Sequence, residues 1–549
     1  MANNLFTGPS IQTEYRRLDN NGRSKRSSRK VLNVFETLRS AVYRNSPKDF
    51  IKFYDLNLDD LLYTLINGDP VAIEEDGRKM ALTLFRKASV ELPAYQKFLK
   101  KNDINPKAIK NVEDFSLLPI TSKENYLKKH PLDQLTWGGN MENLHLISVS
   151  SGSTGEPFYW PRGLGLEFET SLEYELVLRY FFEADKKTTL FVIGYAMGMY
   201  VAGVFTLNSL MSMVKKHYPL TIVSPGADKE AILKIIKSLG PNYDQVIVAA
   251  YSPVLKDLID KGVEEKVNWK NFNLKFISGG EGFSEEFRNY IYRKVGTKNY
   301  LKSSMNTYGS ADAAILGHET PLTILIRKIA GENRALRKAL FKDDRIPSLH
   351  QYYPFFKYFE EINGGIVFST YGGIPLVRYS IGDAGGVIPF QKMMLSLKDL
   401  KIDIKKEMSQ YKCENLIMKL PFVYLFGRTD NTKIFYGANI YPEHIKNCLE
   451  QDEVINLVTG KYFMDILLDK NLNQSLYLAV ELVSKLKPNS QIKRRVSSLI
   501  HNNLLKINEE YKYLSQTIEG RIHPTVELFN YGDSKYFSPG IKPRYVKKG

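Results

Sequence analysis

A chain of 549 residues exceeds what one hydrophobic core supports, so at least two domains are expected. Hydrophobic residues at 43% and charged residues at 25%, with 37 Gly and 24 Pro, exclude a collagenous, low-complexity or disordered class. The net charge of +16 favours anionic partners such as nucleotides or polyanions, while two cysteines, Cys413 and Cys448, without a CxxC, exclude a disulfide framework or zinc ribbon and fit a reducing, cytoplasmic setting.

Residues 1–30 carry seven Lys and Arg among Ser and Asn, without the apolar run of a secretory signal. Residues 1–75 read as a basic N-terminal extension, partly disordered or helical, with no sequence-specific nucleic-acid signal. From Arg78 to Leu99 the pattern is helical. In LPITSKENY, Thr121 and Glu124 stand three apart as a capping box before a helix. Leu144–Val149 reads as a strand.

Between Thr188 and Val214 there is no charged residue, a span long enough for a bilayer. Three glycines and Asn208/Ser209 interrupt it, and it reads as a buried strand, Leu190–Ile193, a turn at Gly194 and Gly198, and a buried helix, Tyr200–Val214. No membrane span is expected. Strands at Thr221–Val223, Gln245–Ala249 and Leu274–Ile277 then alternate with helical faces at Ile232, Ile235, Ile236 and Leu239, and at Phe287, Tyr290 and Ile291. This is the pattern of an α/β parallel sheet with crossover helices, which binds ligands beyond strand C-termini.

Lysine and methionine dominate Gln391–Lys419, read as an insertion or helical edge element with a solvated face. After Gly427 come a hairpin, a helix opened by Pro442, a strand at Leu476–Leu482, and a helix with Ile492, Val496, Leu499 and Ile500 on one stripe. The expected division is a large domain over 76–426 and a small α+β domain over 427–549, about 120 residues, enough for its own core.

The strongest chemical signal is VSSGSTGEP, Val149–Pro157, following a strand. Gly152 and Gly155 let backbone N–H groups approach an anion, and Ser151, Ser153 and Thr154 donate to phosphate oxygens. It is neither a Walker A loop nor a GxSxG elbow. None of the eight histidines forms an HxxxH or HExxH pair, so no metalloenzyme role is assigned, and His318 is read as structural. Downstream lie Gly279-Gly280-Glu281, NTYGSADA from Asn306 through Tyr308, Gly309, Ala311 and Asp312, then PLVRYSIGD ending at Asp383. GRTD with Arg428 and Asp430, GANIYP from Gly437, and GIKPR with Lys542 complete the series.

In this order and spacing, the motifs resemble the adenylate-forming superfamily, in particular its phenylacetate–CoA ligase and CapK-like branch. The resemblance runs from about Leu82 to the C-terminus. It implies a large α/β domain with a small mobile C-terminal lid domain, and ATP-dependent activation of a small-molecule carboxylic acid as an acyl-adenylate. Pyrophosphate leaves, and the acyl group passes to a thiol, most often coenzyme A.

By resemblance, Ser151, Gly152, Ser153, Thr154 and Gly155 bind the triphosphate, Gly280, Glu281, Tyr308 and Gly309 surround the adenine, and Asp383 and Arg428 bind the ribose. Asp312 holds Mg2+, Asp430 is the hinge, and Gly437 lies beside the thiol channel. Lys542 reaches the carboxylate and α-phosphate, with Lys535, Lys547 and Lys548 as competitors. Tyr195, Met197, Met199 and Tyr200 are candidates for an acyl pocket. Cations are needed because carboxylate and phosphate are both anionic. Two departures stand out: Ala311 and Asp312 replace the family's hydroxyl residue and Glu, and Glu156 stands where Lys is frequent. Alternatives are transfer to an acidic carrier protein, a protein thiol or an amine, and, from another class, a catalytically degenerate nucleotide- or polyanion-binding protein.

Overall fold

The computed structural model describes residues 56–142, 144–149, 158–428, 433–436, 438–469, 474–508, 511–512, 514–515 and 522–537. Asn57 caps a first helix, Leu58–Asn67, and Asp69 with Pro70 opens a second, Pro70–Glu91. The expected single helix over Arg78–Leu99 is two, because Leu92 ahead of Pro93 is forced to an extended backbone before the chain re-enters a helix at Pro93–Lys101. Leu58, Leu61, Leu65 and Ile73 share the core of the large sheet, so packed structure begins ahead of residue 76.

The capping box at Thr121 and Glu124 opens no α-helix; only a short turn at Leu127–Lys129 follows. Tertiary pairing wins instead. Thr121 forms a parallel bridge with Tyr379, and its hydroxyl donates to the Val377 carbonyl at 2.8 Å.

β1 (Leu146–Val149) and β2 (Tyr159–Arg162) pair antiparallel on either side of residues 150–157. A twelve-stranded sheet follows. Its parallel half comprises β3 (Thr189–Ile193), β4 (Leu220–Val223), β5 (Gln245–Ala249), β6 (Leu274–Gly279) and β7 (Ser304–Ser310), in the order β4-β3-β5-β6-β7. Helices Val201–Lys215, Lys229–Leu239, Ser252–Glu264 and Glu285–Val295 are the crossovers. Both faces are covered: Phe191, Ile193, Ile247 and Ala249 enter one core, while Leu190, Val192, Val246 and Val248 enter the other. The charge-free stretch is thus a central strand and a crossover helix, and no helix among the described residues is long and apolar enough to cross a membrane.

The sheet continues antiparallel through β8 (Ala314–His318), β9 (Ser348–Gln351), β10 (Lys357–Ile362), β11 (Gly365–Thr370), β12 (Leu376–Tyr379), β13 (Asp383–Ile388) and β14 (Phe422–Arg428). Its order from β7 is β8-β9-β14-β13-β11-β10, with β12 also on β11. The lysine-rich stretch is not peripheral. Its helices, Phe390–Asp399 and Ile404–Ser409, bury Met393, Leu397, Ile404 and Met408 against Leu325, Leu340 and Phe422.

Beyond β14, β15 (Lys433–Phe435) pairs antiparallel with β16 (Ala438–Ile440). A separate three-stranded sheet joins β17 (Val458–Leu468), β18 (Gln474–Leu482) and β19 (Thr525–Phe529). Helices Pro442–Leu449 and Ser490–Ile507 pack there, with Ile445, Val496 and Ile500 in one core with Leu478 and Val480. The fold is α/β throughout its large part, with an α+β C-terminal part.

Candidate active site

The parallel order reverses between β3 and β5, the point where open α/β sheets leave a crevice outside their strand C-termini. Tyr195 and Tyr251 follow these two strands, with ring centroids 5.2 Å apart. Tyr195 is buried and its hydroxyl donates to the Ile277 carbonyl at 3.2 Å. Beside them β6 ends in Gly279-Gly280. Gly280 has φ +81°, and a Cβ there would lie 2.9 Å from the Tyr251 ring, so both backbone and space require glycine. Of the residues expected to line an acyl pocket, Tyr195 is buried, Met197 packs on the main core, and Met199 and Tyr200 are 63% and 46% exposed.

Next along the sheet edge, Tyr308 at the end of β7 donates its hydroxyl to Asp383 Oδ2 at 2.8 Å. Both are nearly buried, and the Tyr308 ring lies 5.9 Å from His350. Asp383 opens β13 after a turn at Gly382, φ +85°, and is the cross-strand partner of Arg428 at the end of β14. Gly309 sits at a bulge where a Cβ would come within 2.6 Å of the Ala314 carbonyl oxygen.

Asp312, in the β7–β8 connection, has both carboxylate oxygens engaged: Lys123 Nζ lies 3.3 Å from Oδ1, and the Tyr379 hydroxyl donates to Oδ2 at 2.7 Å. Lys123 reaches it because the bridge at Thr121 ties its segment to β12, and it also lies 5.4 Å from the Trp160 ring centroid. Buried Arg162, at the end of β2, donates to the Ala311 and Asp312 carbonyls. Burial pulls its guanidinium down to about 10, against the opposing charge of Asp312. Among the described residues no group of three or more His, Cys, Asp or Glu is arranged to hold a metal ion. A single carboxylate still fits Mg2+, which takes one or two protein carboxylates together with substrate phosphates; on Asp312 it would compete with Lys123.

Behind the Gly279–Glu281 turn is a buried ionic network. Glu319 Oε1 accepts from Arg288 at 2.7 Å and Arg327 at 2.8 Å, and Oε2 accepts from the Asn306 backbone N–H at 2.8 Å. Asn306 Nδ2 in turn donates to the Glu281 carbonyl at 2.9 Å. Burial pushes the Glu319 carboxyl up, but the two guanidiniums outweigh it and leave it below its usual range. His318, read as structural, is buried between the Glu319 carbonyl and the Tyr353 hydroxyl, and desolvation lowers it to about 4.

The structure therefore brings Gly280, Glu281, Tyr308, Gly309, Asp312 and Asp383 to one end of the sheet, with the backbone of Arg428 beside Asp383. Ser151, Gly152, Ser153, Thr154, Gly155, Asp430, Gly437 and Lys542 lie outside the described residues. Lys123, Arg162, Tyr379 and the Glu319 network were missed. Lys123 stands in LPITSKENY and Tyr379 in PLVRYSIGD; Arg162 and the Glu319 network carry no local signal.

No family model matches this chain, and no curated protein matches it. Solved structures do. A 2-hydroxyisobutyryl-CoA ligase in its postadenylation state with R3-HIB-AMP aligns at 14% identity over 86% of this chain and 88% of its own, with a TM-score of 0.60. The same ligase with 2-HIB-AMP scores 0.58 at the same identity and coverage. With 2-HIB-AMP and CoA in its thioesterification state it scores 0.50, at 14% identity over 88% of this chain and 91% of that one. The fold is shared with that ligase.

Proposed function

We propose that the protein is an adenylate-forming acid–thiol ligase of the phenylacetate–CoA ligase and CapK-like branch. The observation that carries the reading is the alignment of Gly280, Tyr308 and Asp383 along the strand ends of this fold, with Arg428 opposite Asp383. A carboxylate oxygen of the acid attacks the α-phosphorus of ATP, the bond to the bridging oxygen breaks, and pyrophosphate leaves. A thiol, that of coenzyme A, then attacks the acyl carbon and AMP leaves.

Asp383 takes the ribose hydroxyls on its carboxylate oxygens, and Tyr308 fixes its orientation. Gly280 and Glu281 flank the base, and Gly309 leaves space beside it. Ser151, Gly152, Ser153, Thr154 and Gly155 cradle the phosphates, with Arg428 at the ribose and α-phosphate and Lys542 on the attacking carboxylate. Asp312 would hold Mg2+, which would supply charge neutralisation on the phosphates. Residues 427–549 act as the lid, turning at Asp430, with Gly437 beside the thiol; exclusion of water protects the acyl-adenylate. The expected result is acid-dependent exchange of pyrophosphate into ATP across a panel of aryl and aliphatic acids, with Asp383→Ala losing about 10² to 10³ in kcat/KM for ATP. ATP binding without exchange on any acid refutes the ligase.

A further inference from the structure

The turn from Gly280 to Ser284 is held from two sides. From within the large sheet, Asn306 donates to the Glu281 carbonyl and Arg327 to the Phe283 carbonyl at 2.7 Å. These fix the main chain and leave the Glu281 side chain to other partners. From outside, the helix Pro442–Leu449 of the C-terminal part lies against the same turn. Lys446 Nζ donates to the Gly282 carbonyl at 2.6 Å and lies 3.4 Å from Glu281 Oε2, with side chains only 16% and 9% exposed. One turn further on, Glu450 Oε2 accepts the Ser284 N–H at 3.1 Å. Helix and loop thus meet at both ends of the turn.

One donor of the ammonium takes the Gly282 carbonyl, and its charge faces the carboxylate of the adjacent residue, an ion pair anchored through the main chain of the same turn. The partial burial makes this pair stronger than a solvent-exposed one. Only glycine fits at 282, since a Cβ there would lie 2.1 Å from Ser348 Oγ. The position of Glu281 in the nucleotide crevice is consequently set by a residue that arrives with the C-terminal part.

We propose that Lys446 is a positioning residue for the nucleotide: by holding Glu281 and Gly282 it couples ATP affinity to the seating of the C-terminal part on the crevice. The proposal rests on the adenylation reading. Lys446→Met should raise KM for ATP about tenfold in pyrophosphate exchange, with KM for the acid unchanged and kcat within about twofold. Lys446→Arg should recover most of the loss, because it keeps the positive charge facing Glu281. A purely structural role would lower kcat and both KM-based constants together with the unfolding midpoint. Calorimetric ATP binding runs in parallel on the full chain, with Lys446→Gln as a second variant.

Unchanged ATP affinity in a folded Lys446 variant overturns the coupling while leaving the ligase standing. A wild type that binds ATP but exchanges with no acid overturns the ligase, and its isotherms against the Lys446 variants still decide the coupling. A wild type that does not bind ATP overturns both.

Discussion

Replacing Glu319 with leucine would leave two buried guanidiniums sharing one carboxylate. Arg288, Arg327 and Glu319 have side chains at most 3% exposed, and after the change only Glu285 remains, 2.8 Å from Arg288 and 2.9 Å from Arg327. Three charge-assisted hydrogen bonds are lost, each worth roughly 1.5–3 kcal/mol, while Glu285 and the buried leucine offset part of that. Removing one partner of a buried pair costs about 3–5 kcal/mol, so we expect about 4 kcal/mol for Glu319→Leu. Glu319→Gln should cost about 2 kcal/mol, since one acceptor survives. Urea unfolding followed by tryptophan fluorescence reads the loss, and hydrogen exchange at Asn306 and Glu281 reports whether the crevice turn loosens first. Because the guanidiniums hold Glu319 below its usual range, its stabilisation is present above pH 4.5, the unfolded carboxyl value, and is lost as pH falls through the folded value. Glu319→Leu should lack that acid-limb contribution. A loss under about 1 kcal/mol, or an unchanged acid limb, would refute the account.

The buried carboxyls of Glu443 and Glu450 are pushed from 4.5 up to about 7 by desolvation. Their contribution is complete below pH 4.5 and lost as pH rises through about 7, so the Tm of wild type should fall between pH 5 and 8 relative to a Glu443→Gln, Glu450→Gln double variant; parallel profiles would contradict this. Buried Lys357 pairs with Glu169 and donates to Thr370 Oγ1 at 2.9 Å. Lys357→Met should cost about 3–5 kcal/mol at pH 8 and less at pH 5, where Glu169 is neutralised by a proton, with Glu169→Gln restoring much of the loss. A cost independent of pH in urea unfolding would count against it.

The parallel half of the sheet was legible because its strands are unbroken apolar runs and its crossover helices are amphipathic. Strands Gln245–Ala249 and Leu274–Gly279 and the helix Lys229–Leu239 lie where periodicity puts them. The antiparallel half was not, since β8, β9 and β12 carry polar residues or glycine within their short runs and owe their burial to neighbours far along the chain. Thr121 shows the same limit: its local spacing favours a helix cap, and a partner more than 250 residues away takes its hydroxyl. In the site, the ordered motifs pointed to Gly280, Tyr308 and Asp383. The contacts that hold Asp312, from Arg162 150 residues away and Lys123 189 residues away, are pairings no local pattern reports.

The place of β14 in the sheet also governs synthesis. Strands β10 to β13 reach the parallel half only through β14, which lies between β13 and β9 although it is made last. A nascent chain that has emerged as far as β7 already owns every strand and crossover of the parallel half and can begin to fold as a unit. The four later strands can pack on the earlier helix Pro70–Glu91, but their sheet edge stays unpaired until Phe422–Arg428 is made. The same seven residues that bring Arg428 to Asp383 therefore close the sheet, so that one strand both joins its two halves and builds this edge of the crevice.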